Sequence, residues 1–243
     1  MDNDVVISVE NVTMAFNLNK EKVDNLKEYV IKLLRRQLEF KKFYALQDIN
    51  FQVRRGQHLG ILGLNGAGKS TLLKTIVGVY KPTEGTVKKK GVIAPLLELG
   101  AGFDPNYTGK ENIFLYGAIL GYNREYLERK YDEIVAFSEL GKFIDVPLKN
   151  YSSGMKARLG FSIATAVEPD ILILDEPFNA LDYKTYEDVK AIIRMLKAEG
   201  KTIFLTSHHY KDIEQLCDQV YSLEDCQLLP ITEEIAARYR EME

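Results

Sequence analysis

Gly63-Leu64-Asn65-Gly66-Ala67-Gly68-Lys69-Ser70-Thr71 is a complete G-x-x-x-x-G-K-[ST] phosphate-binding loop, and it constrains this chain more than any other stretch. The apolar run His58-Leu59-Gly60-Ile61-Leu62 enters it at strand length, and Leu72, Leu73, Ile76 and Val77 leave it at helical spacing. The loop therefore sits at a strand-to-helix corner. There three glycines let backbone N–H groups converge on phosphate oxygens, and the new helix points its positive end at them. Lys69 is expected to neutralise the β- and γ-phosphates, and the Ser70 hydroxyl to hold Mg²⁺. The expected ligand is a nucleoside triphosphate, with Gly63 to Thr71 around its phosphates.

A chain of 243 residues can bury one good core, or one core with a small helical appendage. Its hydrophobic fraction of 46% and charged fraction of 28% are ordinary for a globular protein. The net charge of −3 gives no reason to expect nucleic acid as a partner. No apolar run approaches the roughly 20 residues that cross a bilayer. The acidic start Met1-Asp2-Asn3-Asp4 lacks the basic and apolar regions of a secretory signal. Cys217 and Cys226 stand apart from any ligand pattern and read as free thiols in a reducing cytosol.

Strands are expected at Val5–Val9 and Asn11–Phe16. Residues 17–42 then change character, with Val23, Leu26, Tyr29, Val30, Leu33, Leu34 and Leu38 at helical spacing and Lys/Arg outnumbering Asp/Glu by eight to four. Such a basic amphipathic stretch fits an anionic membrane surface or a partner, and equally a face packed on its own domain. Strand patterning resumes from Tyr44 to Val53. Residues from Thr108 to about Phe143 read as helical, followed by a helix over Gly154–Val167. Ile171-Leu172-Ile173-Leu174 has the all-apolar character of a strand buried on both faces of a parallel sheet. A helix through Val189, Ile192, Ile193 and Leu196 leads to a second such strand, Thr202–Thr206, and the tail from Thr232 reads as a short helix. The alternation argues for an α/β core with a mainly helical insertion near 95–165 and an antiparallel β part at the N-terminus.

Asp175 and Glu176 follow the apolar strand directly, at the carboxyl end where an α/β sheet presents its site. Asp175 is expected to hold Mg²⁺, directly or through water, and Glu176 to polarise the attacking water as general base. His208 lies just past the next buried strand on the same sheet edge, placed to donate to the γ-phosphate. His209 is expected on the surface.

Phosphate loop, Tyr151-Ser152-Ser153-Gly154-Met155, Asp175-Glu176, Asn179-Ala180-Leu181-Asp182 and His208 stand in the order found in ABC-transporter ATPase subunits, and the chain resembles that family over nearly its whole length. The resemblance implies a P-loop NTPase of the ABC type forming one domain over 1–243. Within it, 17–42 would be an insertion, about 95–165 the helical signature subdomain and 232–243 a C-terminal helix. It implies a homodimer that sandwiches two ATP, with Ser152, Ser153 and Gly154 facing the partner's γ-phosphate and Asp182 in the D-loop. Phe16 would stack on adenine by the same alignment; a core aromatic is the other reading of Phe16, and Tyr44 the alternative stacker.

The signature normally reads Leu-Ser-Gly-Gly-Gln; here Tyr151, Ser153 and Met155 replace Leu, the first Gly and Gln. Tyr-Ser-Ser-Gly-Met-Lys-Ala-Arg-Leu resembles the polysaccharide-exporting group, the teichoic-acid and O-antigen ATPases. So do Ile93 to Phe103, where Glu98 would take the place of the Q-loop glutamine, and the insertion opening at Phe16. By contrast, Asp175 to Asp182 is closer to the general ABC pattern than to the Asp-Glu-Val…Gly-Asp common in polysaccharide exporters. The resemblance further implies a separate integral-membrane permease, contacted through 95–115, a lipid-linked glycan as cargo, and a peripheral place on the cytoplasmic face of the cell membrane. A drug or lipid exporter, or a soluble ABC protein acting on ribosomes or DNA, is the alternative.

Overall fold

The computed structural model describes residues 4–19, 40–96, 102–166, 168–179 and 181–242. Two sheets organise them. β1 (Val5–Asn19), β2 (Phe40–Arg54) and β4 (Glu84–Lys89) form an antiparallel sheet in the order β2-β1-β4. A six-stranded sheet has the order β5-β6-β7-β3-β8-β9, from β3 (His58–Leu62), β5 (Ile93–Leu96), β6 (Ile171–Asp175), β7 (Thr202–Ser207), β8 (Gln219–Glu224) and β9 (Gln227–Pro230). Strands β5 to β8 of that sheet run parallel, and β9 returns antiparallel to β8.

The all-apolar strands are buried along their whole length, and the pleat divides them between two cores. Ile171, Ile173 and Phe204 face the core shared with helix α1 (Lys69–Val77) and the antiparallel sheet. Leu172, Leu174, Ile203 and Leu205 face the opposite core, shared with α4 (Ser153–Ala166) and α5 (Tyr183–Ala198). Burial on both faces pins the register of each strand, since a one-residue slip would exchange the two sets.

Helices α2 (Gly109–Ile119) and α3 (Arg124–Ser138) precede α4, with one-turn 3-10 segments at Gly141–Asp145 and Leu148–Asn150 between them. Short α6 (Tyr210–Glu214) follows β7, and α7 (Glu233–Glu241) closes the described chain, capped by Thr232. The helical character read from Thr108 to about Phe143 holds, divided between two helices. Gly121 takes a left-handed φ of +92° and Asn123 starts a new helix by accepting the Tyr126 N–H. Glu139 then stops α3 in the left-handed region at φ 52°.

The N-terminal expectations also change. Val5–Val9 and Asn11–Phe16 are one strand, bent by register shifts around Asn11, whose φ is 52°. The ends of the stretch expected to be helical, 17–19 and 40–42, are strand residues, paired Asn17↔Lys42, Leu18↔Lys41 and Asn19↔Phe40. Ladder pairing with the well-packed hairpin below wins there over helical periodicity. The rest of the basic stretch, 20–39, lies outside the described residues, as does Glu98. Among the described residues no helix is long and apolar enough to cross a membrane.

Candidate nucleotide site

The parallel register brings the carboxyl ends of β3, β6 and β7 to one edge, and the three chemical segments of the sequence meet there. Gly63 continues β3 by donating its N–H to the Ser207 carbonyl at the end of β7 (3.2 Å). Gly63 and Lys69 are buried; Leu64, Asn65, Gly66 and Ser70 are exposed; Ala67, Gly68 and Thr71 are half-buried. Gly68 has φ +107°, and a Cβ there would lie 2.7 Å from the Ala45 carbonyl oxygen, so the loop's close approach to β2 requires glycine.

Lys69, the first residue of α1, is 4% exposed. Its Nζ donates to the carbonyls of Gly63 (2.6 Å) and Leu64 (3.1 Å) and to Glu176 Oε1 (2.9 Å). An ammonium has three N–H bonds, and these partners use all of them. Glu176 Oε2 lies 3.1 Å from His208 Nδ1. Burial alone would raise the Glu176 pKa; Lys69 and His208 outweigh it and hold the carboxyl below the usual carboxylate range. Glu176 itself sits in the left-handed region at φ 46°, a conformation that costs a non-glycine residue roughly 1 kcal/mol. Its N–H is bound by both the carbonyl (3.2 Å) and the hydroxyl (3.1 Å) of Thr206.

That hydroxyl also donates to Asp175 Oδ1 (2.6 Å), so one β7 side chain orients both carboxylate residues. Thr206 was not singled out in the sequence. Its only signal there is a polar residue ending an apolar strand. Asp175 and Ser70 are hard oxygen donors, and no group of three or more His, Cys, Asp or Glu gathers anywhere among the described residues. Such a sparse set suits a Mg²⁺ ion that arrives with phosphate oxygens and keeps waters, not one caged by protein.

Ser152, Ser153 and Gly154, expected as the signature, join a different group. Ser152 and Ser153 are exposed at the start of α4, where Ser152 Oγ accepts the Met155 N–H (3.2 Å). Gly154 is buried: a Cβ there would lie 2.4 Å from Thr185 Oγ1. The Thr185 hydroxyl donates to Asp182 Oδ2 (2.7 Å), and Asp182 caps α5 by accepting the Thr185 N–H (3.0 Å). Gly154 and Asp182 are thus seated on each other through Thr185. Tyr151, the departure from Leu, is buried with its hydroxyl donating to the Phe143 carbonyl, and burial pushes that hydroxyl up to about 12. Leucine would leave the Phe143 carbonyl without that donor.

The aromatic residues near the loop differ in exposure. Phe16 is half-buried with its ring edge-on to Tyr80 at 5.7 Å. Phe43, opposite Phe16 in the ladder, is 51% exposed and lines a cavity of about 460 Å³ with Leu64 to Ala67. Tyr44 is 37% exposed. His209 is exposed as expected, its ring 4.1 Å from that of His208. Both cysteines are free thiols, and burial raises that of Cys217 to about 12.

The family model described as "ABC transporter" matches residues 46–179, from β2 through the phosphate loop and α4 to the loop after Glu176. The chain belongs to the ABC transporter family. This cassette is 42% identical over 228 residues to the O-antigen export system ATP-binding protein RfbB of Klebsiella pneumoniae, covering 93% of each chain. It is 40% identical over 243 residues to the teichoic acids export ATP-binding protein TagH of Levilactobacillus brevis, covering 99% of this chain and 66% of that one. In fold it resembles the ADP conformation of the ATP-binding cassette MJ1267, with a TM-score of 0.72, 21% identity and 98% of each chain covered. A dimeric post-hydrolysis state of the cassette MJ0796 bound to ADP and Pi gives the same TM-score, 0.72, at 23% identity, over 91% of this chain and 96% of that one. The α/β ABC fold and the nucleotide-binding ATPase character expected from the motif order are therefore those of the cassette.

Proposed function

We propose that this cassette is the ATP-hydrolysing subunit of an exporter of lipid-linked cell-surface polysaccharide. In this reading it forms one domain, dimerises around two ATP, and drives a separate permease from the cytoplasmic face of the membrane. The continuous contact Lys69–Glu176–His208 at the phosphate loop carries the hydrolytic part of the reading. The O-antigen and teichoic acid export functions named for its relatives support the cargo.

Incoming phosphates recruit Lys69, which has no spare N–H and must release a partner. Releasing Glu176 frees a carboxylate that Thr206 already holds by its backbone, and the freed Oε1 accepts the proton of the attacking water. His208 turns from Glu176 to the γ-phosphate oxygens. Ser70 and Asp175 would hold Mg²⁺, which supplies charge neutralisation on the phosphates when bound. Exposed Ser152 and Ser153 offer a hydroxyl and helix N–H groups to the partner's ATP, with Gly154 letting α4 lie close on Thr185. The permease is met by the helical subdomain, where a groove of about 690 Å³ along α2 is lined by Tyr107, Lys110, Phe114, Leu115, Tyr122 and Arg124.

Gly154→Ala tests the signature assignment. The added methyl displaces the Thr185 hydroxyl from Asp182, and turnover falls at least tenfold, as expected of a misplaced catalytic group. Nucleotide affinity at Lys69 stays within about twofold, since binding there does not use Thr185. Equal turnover in both proteins would remove Gly154 from the partner's site.

For the whole reading, Glu176→Gln protein is captured with ATP from detergent-solubilised native membranes and its companions identified by mass spectrometry. A polysaccharide-type permease is the expected companion. A permease of another type would discard the cargo, and ribosomal or DNA-bound partners without a membrane protein would discard transport.

A further inference from the structure

Behind His208 stands a buried carboxylate that the hydrolytic scheme does not use. Asp212, on α6, is 4% exposed. Its Oδ1 accepts the Tyr186 hydroxyl (2.7 Å) and its Oδ2 the Ser207 hydroxyl (3.0 Å). Ser207 Oγ in turn accepts the His209 N–H (3.0 Å), so the backbone on both sides of His208 is tied to Asp212. Tyr186 lies in the first turn of α5, the helix that Asp182 caps, and its ring meets Phe178 at 5.1 Å, two residues beyond Glu176. Glu176, His208, Ser207 and Asp212 line one small cavity of about 70 Å³.

We infer that Asp212 and Tyr186 are positioning residues for His208, fixing through the Ser207 hydroxyl the backbone from which the imidazole reaches the site. A carboxylate this deeply buried needs its donors, and hydroxyl-to-carboxylate bonds are short and strong enough to set a loop. The tether also spans three elements, joining the end of β7 and α6 to the helix that opens at the D-loop. His208 therefore takes its place from the same turn of α5 that seats the signature residue Gly154 through Thr185.

The inference rests on His208 acting at the nucleotide, and the test separates the two. Tyr186→Phe deletes one hydroxyl and keeps the ring against Phe178. The chain holds three histidines, so their ring resonances are assigned by single substitutions in protein carrying ¹³C-labelled histidine. In Tyr186→Phe the His208 resonance shifts or broadens while that of distant His58 stays. ATP turnover falls about tenfold with the KM for ATP nearly constant, as a displaced catalytic group requires. Ser207→Ala, which cuts the tether at its other end, gives the same signature, and the double variant is no worse than either single one. An unmoved His208 resonance, or undiminished turnover in folded Tyr186→Phe and Ser207→Ala, overturns the positioning role. Undiminished turnover in His208→Ala would instead overturn the role of His208 itself, leaving the resonance test of the tether intact.

Discussion

Glu176→Gln leaves nucleotide binding in place and lowers turnover by at least about 100-fold, the share a general base usually contributes. The amide keeps the shape of the side chain but cannot accept the water's proton. Binding does not suffer, because the carboxylate occupies the Lys69 ammonium and has to give it up to a phosphate. An amide gives it up more readily, so ADP, which does not react, binds more tightly to the variant than to the parent. Phosphate release and equilibrium binding of ADP measure the two effects separately. Full turnover in the variant would remove Glu176 as the base. The pH behaviour follows from the same contact. With its folded pKa held below the ordinary 4.5, Glu176 contributes stability that is present above that value and is lost as pH falls through the lower folded one. Glu176→Gln flattens that part of the acid-unfolding profile.

Lys69→Ala weakens nucleotide binding by about 10- to 100-fold, the worth of a charge-assisted hydrogen bond that no other residue replaces. The substitution does more than delete a cation. It leaves the Glu176 carboxylate facing incoming phosphates with His208 alone beside it, so repulsion adds to lost attraction. The two effects separate in a double-mutant cycle: adding Glu176→Gln to Lys69→Ala recovers part of the affinity, because it removes the repulsion. Isothermal titration with ATP and ADP reads the cycle directly. Unchanged affinity in Lys69→Ala would sink the phosphate-loop assignment, and strictly additive effects would mean that the Lys69–Glu176 pair does not gate binding.

The residues that gather at the candidate site were legible in the sequence because they are tied to local patterns. Gly63 to Thr71 carry a spacing that only a strand-to-helix phosphate loop uses, and Asp175, Glu176 and His208 each follow an apolar run of strand length. At the two ends of the stretch 17–42 a pattern read along the chain did not set the backbone, while its periodic residues, Val23 to Leu38, lie outside the described residues. Periodicity reports which residues share a face, and at 17–19 and 40–42 long-range ladder pairing decides the backbone instead. The break at Gly121 was visible as a residue but not as a turn, since glycine inside a helical pattern is tolerated as often as it ends one.

By itself the sequence determined the phosphate loop, the order of the family's motifs and the two strands buried on both faces. These depend on neighbours along the chain, where residue type and spacing suffice. Only the tertiary structure decided that β3, β6 and β7 lie side by side with β7 in the middle. That order puts the Thr206 hydroxyl between Asp175 and the backbone of Glu176, and Lys69 against the Glu176 carboxylate. It likewise took the packing of α4 on α5 to seat Gly154 on Thr185, and of α6 beside α5 to give Asp212 its Tyr186 donor. A strand's hydrophobic pattern states that it is buried but not beside which strand. The polar contacts that orient a site are set by that choice of neighbour.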